Sequence, residues 1–256
     1  MGENNVILKL NGISFGYPGT GTKVLNHLNF AIRSGEKIGL IGPNGSGKST
    51  LLHIIMGLIQ PLEGYVEFLG QRPKSEKDFR RIRREVGLVF QNADDQLFSP
   101  TVLEDVAFGL LNMGKTPKQA REMSLRTLKE LNLEGFENRI THKLSGGEKK
   151  LVALATVLVM EPKVLFLDEP STGLDENTRE HIIDILNHLD ITFVMVSHEY
   201  DYLARTTKTI YTLNNGKIAY CCDSRDLHTH YHSHQAGRVP HEHKHEHEHG
   251  HAHGPP

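Results

Sequence analysis

The segment Gly42-Pro43-Asn44-Gly45-Ser46-Gly47-Lys48-Ser49 spaces its glycines, lysine and hydroxyl as a phosphate chain requires. The glycines let successive backbone N–H groups curl around phosphate oxygens. The helix expected to begin near Lys48 adds its positive end. Lys48 would neutralise the β- and γ-phosphates, and the Ser49 hydroxyl is placed to ligate Mg2+. The expected nucleotide-binding set is Gly42, Pro43, Asn44, Gly45, Ser46, Gly47, Lys48, Ser49 and Thr50. Far along the chain, Val164-Leu-Phe-Leu-Asp168-Glu169-Pro170 ends a short apolar run in two carboxylates. Such a pair divides naturally into a metal partner, Asp168, and a base that polarises an attacking water, Glu169. Alone, a Gly-rich turn or a surface carboxylate is ordinary. Together they point to hydrolysis of a nucleoside triphosphate.

These residues need a scaffold that brings them to one edge. Glu36–Gly42, Val86–Phe90, Val164–Asp168 and Thr192–Ser197 are short apolar runs, as expected of strands buried on both faces of a parallel sheet. The Gly-rich loop lies between the first run and the helical "STLLHIIMGL". Between Phe90 and Val164 the pattern turns helical. Thr116 is a predicted N-cap and Pro117 a predicted first helical residue, with Ala120, Leu125, Leu128 and Leu131 near one face. This predicts a parallel α/β core with a helical insertion at about residues 92–160. After His228 little apolar remains to bury, and 228–256 reads as a disordered, His-rich tail beyond a domain spanning 1–227.

Composition narrows the function classes. The 256 residues are 38% hydrophobic and 23% charged, enough for one domain with a full core. A net charge of -2 argues against a general nucleic-acid binder. No stretch approaches the roughly 20 apolar residues of a membrane span, and the N-terminus lacks a signal-peptide layout. The expected location is the cytosol. The adjacent Cys221 and Cys222 form no disulfide framework and read as reduced thiols near a strand end.

With Leu144-Ser145-Gly146-Gly147-Glu148 set between the Gly-rich loop and Phe166-Leu-Asp168-Glu169-Pro170, the chain resembles the ATP-binding cassette (ABC) ATPases. The resemblance covers nearly all of residues 5–220, with the motifs in family order. It implies an α/β fold: a P-loop NTPase core of mainly parallel sheet, with an antiparallel β part and an inserted helical subdomain. It implies that Tyr17 stacks on the adenine of ATP. Gln91 would contact Mg2+ and the γ-phosphate side and report to the transport partner. Ser145, Gly146 and Gly147 would close on ATP held by the opposite subunit, with Asp175 as the D-loop aspartate. His198 would be the switch histidine near the γ-phosphate. The implied catalytic set is Glu169, His198 and Gln91, and the implied Mg2+ set is Ser49, Gln91 and Asp168. Glu148 stands where the family often has Gln. Leu151 stands where a basic residue is common, which removes a charge expected near the dimer interface.

The stretch Val86–Gly114 further resembles the ATPases of energy-coupling-factor importers, particularly the cobalt and nickel group. There Gln91, Asp94, Asp95 and Gln96 would lie where the helical subdomain meets the membrane component. An importer of a vitamin would use a very similar cassette. The tail favours a metal: of the 17 histidines, His241, His243, His245, His247, His249, His251 and His253 alternate with small or charged residues near its end. Neutral imidazole suits Ni2+ and Co2+. The expected partners are membrane-embedded transporter subunits and a second ABC ATPase chain, making a homo- or heterodimer peripheral to the cytoplasmic face of the membrane. Two other classes fit less well. Repair ATPases interrupt the cassette with a long coiled coil, whereas Gln91 and Leu144 are about fifty residues apart; translation types usually carry two cassettes. A metal-storage protein would not need Lys48, Asp168 and Glu169 together.

Overall fold

The structure is a computed structural model that describes residues 5–19 and 21–228. The histidines from His241 to His253 lie outside the described residues.

Two sheets organise the chain. Strands β1 (Val6–Phe15), β2 (Leu25–Arg33) and β4 (Glu63–Phe68) form an antiparallel sheet in the order β2-β1-β4. In β1 and β2 buried and exposed positions partly alternate, as expected where one face is covered and the other open. Strands β3 (Lys37–Ile41), β5 (Val86–Val89), β6 (Val164–Asp168), β7 (Thr192–Val196), β8 (Thr209–Asn214) and β9 (Lys217–Asp223) form the larger sheet, ordered β5-β6-β7-β3-β8-β9. Its pairs are parallel except β8 with β9. The four apolar runs are therefore strands to within a residue or two at either end. Strands β5 and β7 are buried at every position, and β6 at all but Asp168, which is why the runs lack alternation.

The parallel register carries the chemistry to one edge. Asp168 is level with Val196, and Leu40 is level with the same residue from the other side. The loops that follow β3, β5, β6 and β7 thus emerge together at the carboxyl ends of the strands, the usual place for a ligand in such sheets.

The sheet separates two cores. Val164, Phe166, Val194 and Val196 face the antiparallel sheet and helix α1 (Lys48–Ile55), while Leu165, Leu167, Phe193 and Met195 face the other way. On that second side pack helices α3 (Val102–Asn112), α4 (Pro117–Glu130) and α5 (Gly146–Leu158), all between β5 and β6. Each starts with a reciprocal capping box: Thr101 with Glu104, Thr116 with Gln119, Ser145 with Glu148. Thr116 and Pro117 fall where expected, and Ala120, Leu128 and Leu131 are buried, with Leu125 partly so. Leu151, where the family commonly has a basic residue, is 6% exposed and packs in this core. Helix α2 (Glu76–Glu85) precedes β5, α6 (Glu176–His188) links β6 to β7, and α7 (Tyr200–Thr206) follows β7.

Candidate active site

The loop leaving β3 admits only glycine at two points. A Cβ on Gly42 would run into the Leu213 carbonyl, and one on Gly47 would sit 2.7 Å from Val24 Cγ1. Gly47 also holds a left-handed φ of 101° as the N-cap of α1. No side chain among the described residues caps α1, so its first-turn N–H groups point into the loop without intrahelical partners. Ser46 Oγ is buried there with no hydrogen-bond partner among the described residues. Lys48 arches back, its Nζ donating to the carbonyls of Gly42 (2.8 Å) and Pro43 (3.1 Å). Donors converge on one concavity, with a helix dipole and an ammonium behind them. That is an anion cradle sized by backbone.

Opposite lies the end of β6. Ser49 Oγ donates to Asp168 Oδ2 at 2.9 Å. Burial raises the Asp168 carboxyl above the usual aspartate range; the Ser49 bond opposes this, and the neighbouring Glu169 charge adds to it. A carboxylate desolvated beside a hydroxyl is a hard oxygen pair that a divalent cation would relieve, as Mg2+ sites completed by phosphate do. Gln91, two residues beyond β5, reaches the same cleft.

Glu169 is 7% exposed and holds φ 48°, unusual for a non-glycine residue and more so before Pro170. Its N–H is fixed by the Val196 carbonyl at 2.9 Å. Its Oε1 accepts from His198 Nδ1 at 2.8 Å, and Thr172 Oγ1 donates to Oε2 at 3.4 Å. Accepting the Nδ1 proton leaves His198 Nε2 directed outward, and the imidazole is largely exposed. Tyr17 is 44% exposed, meets Phe15 edge-on, and shares a 2.9 Å hydrogen bond with Thr50 Oγ1.

The structure therefore brings Tyr17, Asn44, Gly45, Gly47, Lys48, Ser49, Thr50, Gln91, Asp168, Glu169 and His198 around one cleft of ≈ 490 Å3. Gly42, Pro43 and Ser46 complete the loop beneath it. Ser145, Gly146, Gly147 and Asp175 do not line it. Ser145 caps α5, its N–H donating to Glu148 Oε2 at 2.8 Å, and this bond holds the Glu148 carboxyl below the usual range with help from Arg139. Asp175 caps α6 through Thr178 N–H (3.1 Å) and Oγ1 (2.7 Å). A Cβ on Gly147 would lie 3.0 Å from Thr178, so the two helix starts press together.

Some supporting residues give no signal in the sequence. Gln96, expected where the helical subdomain meets the membrane component, is partly buried and uses its amide within the chain. Its Nε2 donates to Ala153 O (2.7 Å) and Thr156 Oγ1 (2.8 Å) of α5, while its Oε1 accepts from Phe90 N–H (3.1 Å). Glu199 accepts from Ser171 Oγ at 2.8 Å and pairs with Arg179 at 3.4 Å, tying the turn after His198 to the start of α6. Among the described residues no group of three or more His, Cys, Asp or Glu is set to hold a metal by itself.

A family model described as ABC transporter matches residues 25–172. A putative ABC transporter ATP-binding protein of Nitratidesulfovibrio vulgaris is 50% identical over 238 residues, covering 93% of this chain and 86% of the relative. The energy-coupling factor transporter ATP-binding protein EcfA of Methanothermobacter thermautotrophicus is 44% identical over 216 residues, 83% of this chain and 69% of the relative. Among solved structures, cbiO1 from Clostridium perfringens, part of the ABC transporter complex cbiONQ, superposes with a TM-score of 0.77 at 34% identity, covering 88% of this chain and 91% of that one. A dimeric ATP-binding cassette in a post-hydrolysis state with ADP and Pi gives a TM-score of 0.77 at 30% identity, over 84% and 98% of the two chains.

Proposed function

Because the chain belongs to the ABC transporter family and is thereby an ATPase, we propose that it powers a membrane importer of the energy-coupling-factor type, with nickel or cobalt ions as cargo. One observation carries the catalytic part. A phosphate-sized cradle, a hydroxyl–carboxylate pair and a buried carboxylate bonded to an imidazole meet in a single cleft.

In this reading the Gly42–Lys48 loop and Lys48 hold the β- and γ-phosphates, and Tyr17 stacks on the adenine. Ser49, Asp168 and Gln91 would hold Mg2+, which would supply charge neutralisation on the phosphate oxygens. Glu169 accepts a proton from water as its oxygen bonds to the γ-phosphorus and the bridging P–O bond to ADP breaks. His198, fixed through Nδ1, presents Nε2 towards the leaving phosphate. The cleft is open on one side, and Ser145, Gly146 and Gly147 of a second chain would close it. The dimeric ADP- and Pi-bound cassette supports that arrangement.

Among the described residues no helix is long and apolar enough to cross a membrane; in this reading the ion's path belongs to other subunits. A groove of ≈ 730 Å3 lies between α2, β5 and α3, combining Arg80, Arg83 and Arg84 with Phe90, Phe108 and Met113. Beside it Phe98 and Phe108, both exposed, pack edge-on at 4.7 Å. An apolar floor under a basic rim suits an amphipathic segment of a membrane subunit. Purification from native membranes tests the assignment. The expected result is recovery with integral membrane subunits and a second cassette, and Phe108→Glu should lose those subunits while leaving ATP hydrolysis within about twofold. Recovery without any integral membrane protein would overturn the transport reading.

Nickel or cobalt as cargo rests on the histidines from His241 to His253. Residues two apart in an extended chain lie on one side, roughly 6.5–7 Å apart, so several can meet one ion. Only neutral imidazole binds the metal, so protons compete and binding weakens as pH falls through about 6.5. A chain ending at Leu227 should keep its ATPase activity and lose most Ni2+ or Co2+ binding by titration calorimetry at about pH 7.5, and the full chain should lose it at about pH 5.5. Equal binding by the two chains would refute this role, and bound vitamin in the purified complex would favour the vitamin importer.

A further inference from the structure

We propose that Lys150 is a positioning residue for hydrolysis, a strut from the signature helix α5 that holds the turn presenting Glu169. In the structure the Lys150 side chain is half-buried, and its ammonium donates to the carbonyls of Glu169 (3.1 Å), Pro170 (3.2 Å) and Thr172 (2.6 Å). An ammonium has three protons, and here each meets one carbonyl oxygen. The three acceptors belong to a single turn. Holding them together fixes the backbone directly after β6.

That turn needs fixing. Glu169 sits at φ 48° ahead of a proline, a backbone state that side-chain-bearing residues leave unless their surroundings hold them. Glu199 holds Ser171 at 2.8 Å, Thr172 reaches Glu169 O and Oε2 only at 3.4 Å, and three further anchors act on Glu169 and the carbonyls of the turn. Strand β7 takes the Glu169 N–H through Val196, His198 takes the carboxylate, and Lys150 takes the carbonyls. The first two act on Glu169 itself and take no carbonyl of the turn. Lys150 takes three carbonyls, and it does so from the helix whose first residues, capped by Ser145, are expected to meet the other chain's nucleotide. The placement of the base is thereby tied to the helix that senses the partner.

This inference rests on Glu169 acting as the base, so Glu169→Gln is assayed alongside. Lys150→Met removes the three donors and keeps the stem's bulk. It should lower kcat by about 10- to 100-fold, the range expected when a reacting group loses its alignment, while the KM for ATP stays within about twofold. ATP-dependent dimerisation by light scattering should persist. Lys150→Arg keeps charge and several donors in a flatter geometry and should recover part of the rate. Should Lys150→Met not fold, Lys150→Gln compared with Lys150→Arg reads the same split. Wild-type kcat in Lys150→Met beside an inactive Glu169→Gln overturns the strut while leaving the base assignment intact. A kcat and KM that move together with the melting temperature, without recovery in Lys150→Arg, also overturn it, since that is a packing effect. Full turnover by Glu169→Gln would remove the base and with it the purpose of the strut.

Discussion

Glu169→Gln binds ATP as the unaltered protein does, hydrolyses it at least about 100-fold more slowly, and accumulates as an ATP-bound dimer: that is the expected result. The magnitude is the usual contribution of a positioned general base, about 10^2- to 10^4-fold. The variant keeps the side chain's length, and its amide oxygen still accepts from His198 Nδ1, so the site is preserved. What disappears is the oxygen that takes the water's proton. Among the described residues Glu169 makes no hydrogen bond to the loop that cradles phosphate or to the Ser49–Asp168 pair, so affinity is spared. If hydrolysis is what reopens the dimer, blocking it traps the closed form. A phosphate-release assay combined with light scattering checks both halves, and near-normal turnover would sink the assignment.

Ser145→Arg should abolish hydrolysis although Ser145 lies outside its own chain's cleft. A small hydroxyl at the start of α5, between Gly146 and the preceding turn, leaves room for a phosphate from outside. A guanidinium there would block it, and losing the cap adds only about 1 kcal/mol of destabilisation. The variant's own P-loop is intact. Lys48→Ala is the complementary lesion, with an intact signature and a P-loop that lacks its ammonium. Neither homodimer has a complete site. A mixed dimer has one, because the Ser145→Arg chain supplies the loop and the Lys48→Ala chain the signature. Equal mixing should restore at most about a quarter of the activity if chains assort at random. Full activity from a strict monomer under assay conditions would rule out the composite site.

The sequence exposes what depends on neighbours along the chain. Gly42 to Ser49 and Asp168-Glu169 can be read because a turn and a strand end are local, and β5, β6 and β7 because burial on both faces removes polar residues. Thr116 and Pro117 announce α4 for the same reason. The antiparallel strands hide better. The pairing of β1 with β2 shifts register more than once, which breaks the simple alternation a reader would seek. Helix α2 is nearly all charged, with Phe79 and Ile82 its only buried residues. Leu151, Gln96 and Lys150 could not be placed because each is defined by partners far away in sequence. Leu151 fills a core, Gln96 bridges Phe90 and α5, and Lys150 gathers carbonyls beyond β6. That Ser145 and Asp175 lie apart from the cleft is likewise a property of tertiary arrangement, and no spacing encodes it.

Helix α5 runs 13 residues, about 20 Å at the ordinary rise. Near its start it offers Ser145 outward, one turn later Lys150 grips the turn at Glu169, and further on Ala153 and Thr156 are clasped by Gln96. A rod held at two points along its length moves as a whole or not at all. In the dimer proposed above, one such rod would touch the partner's nucleotide at its tip and the chain's own catalytic turns along its length. By thermodynamic reciprocity, any shift of the rod that favours occupancy on one side favours it on the other by the same factor. The two halves of the machine would then fill and empty as a cooperative pair, with the coupling stored in the stiffness of a single helix.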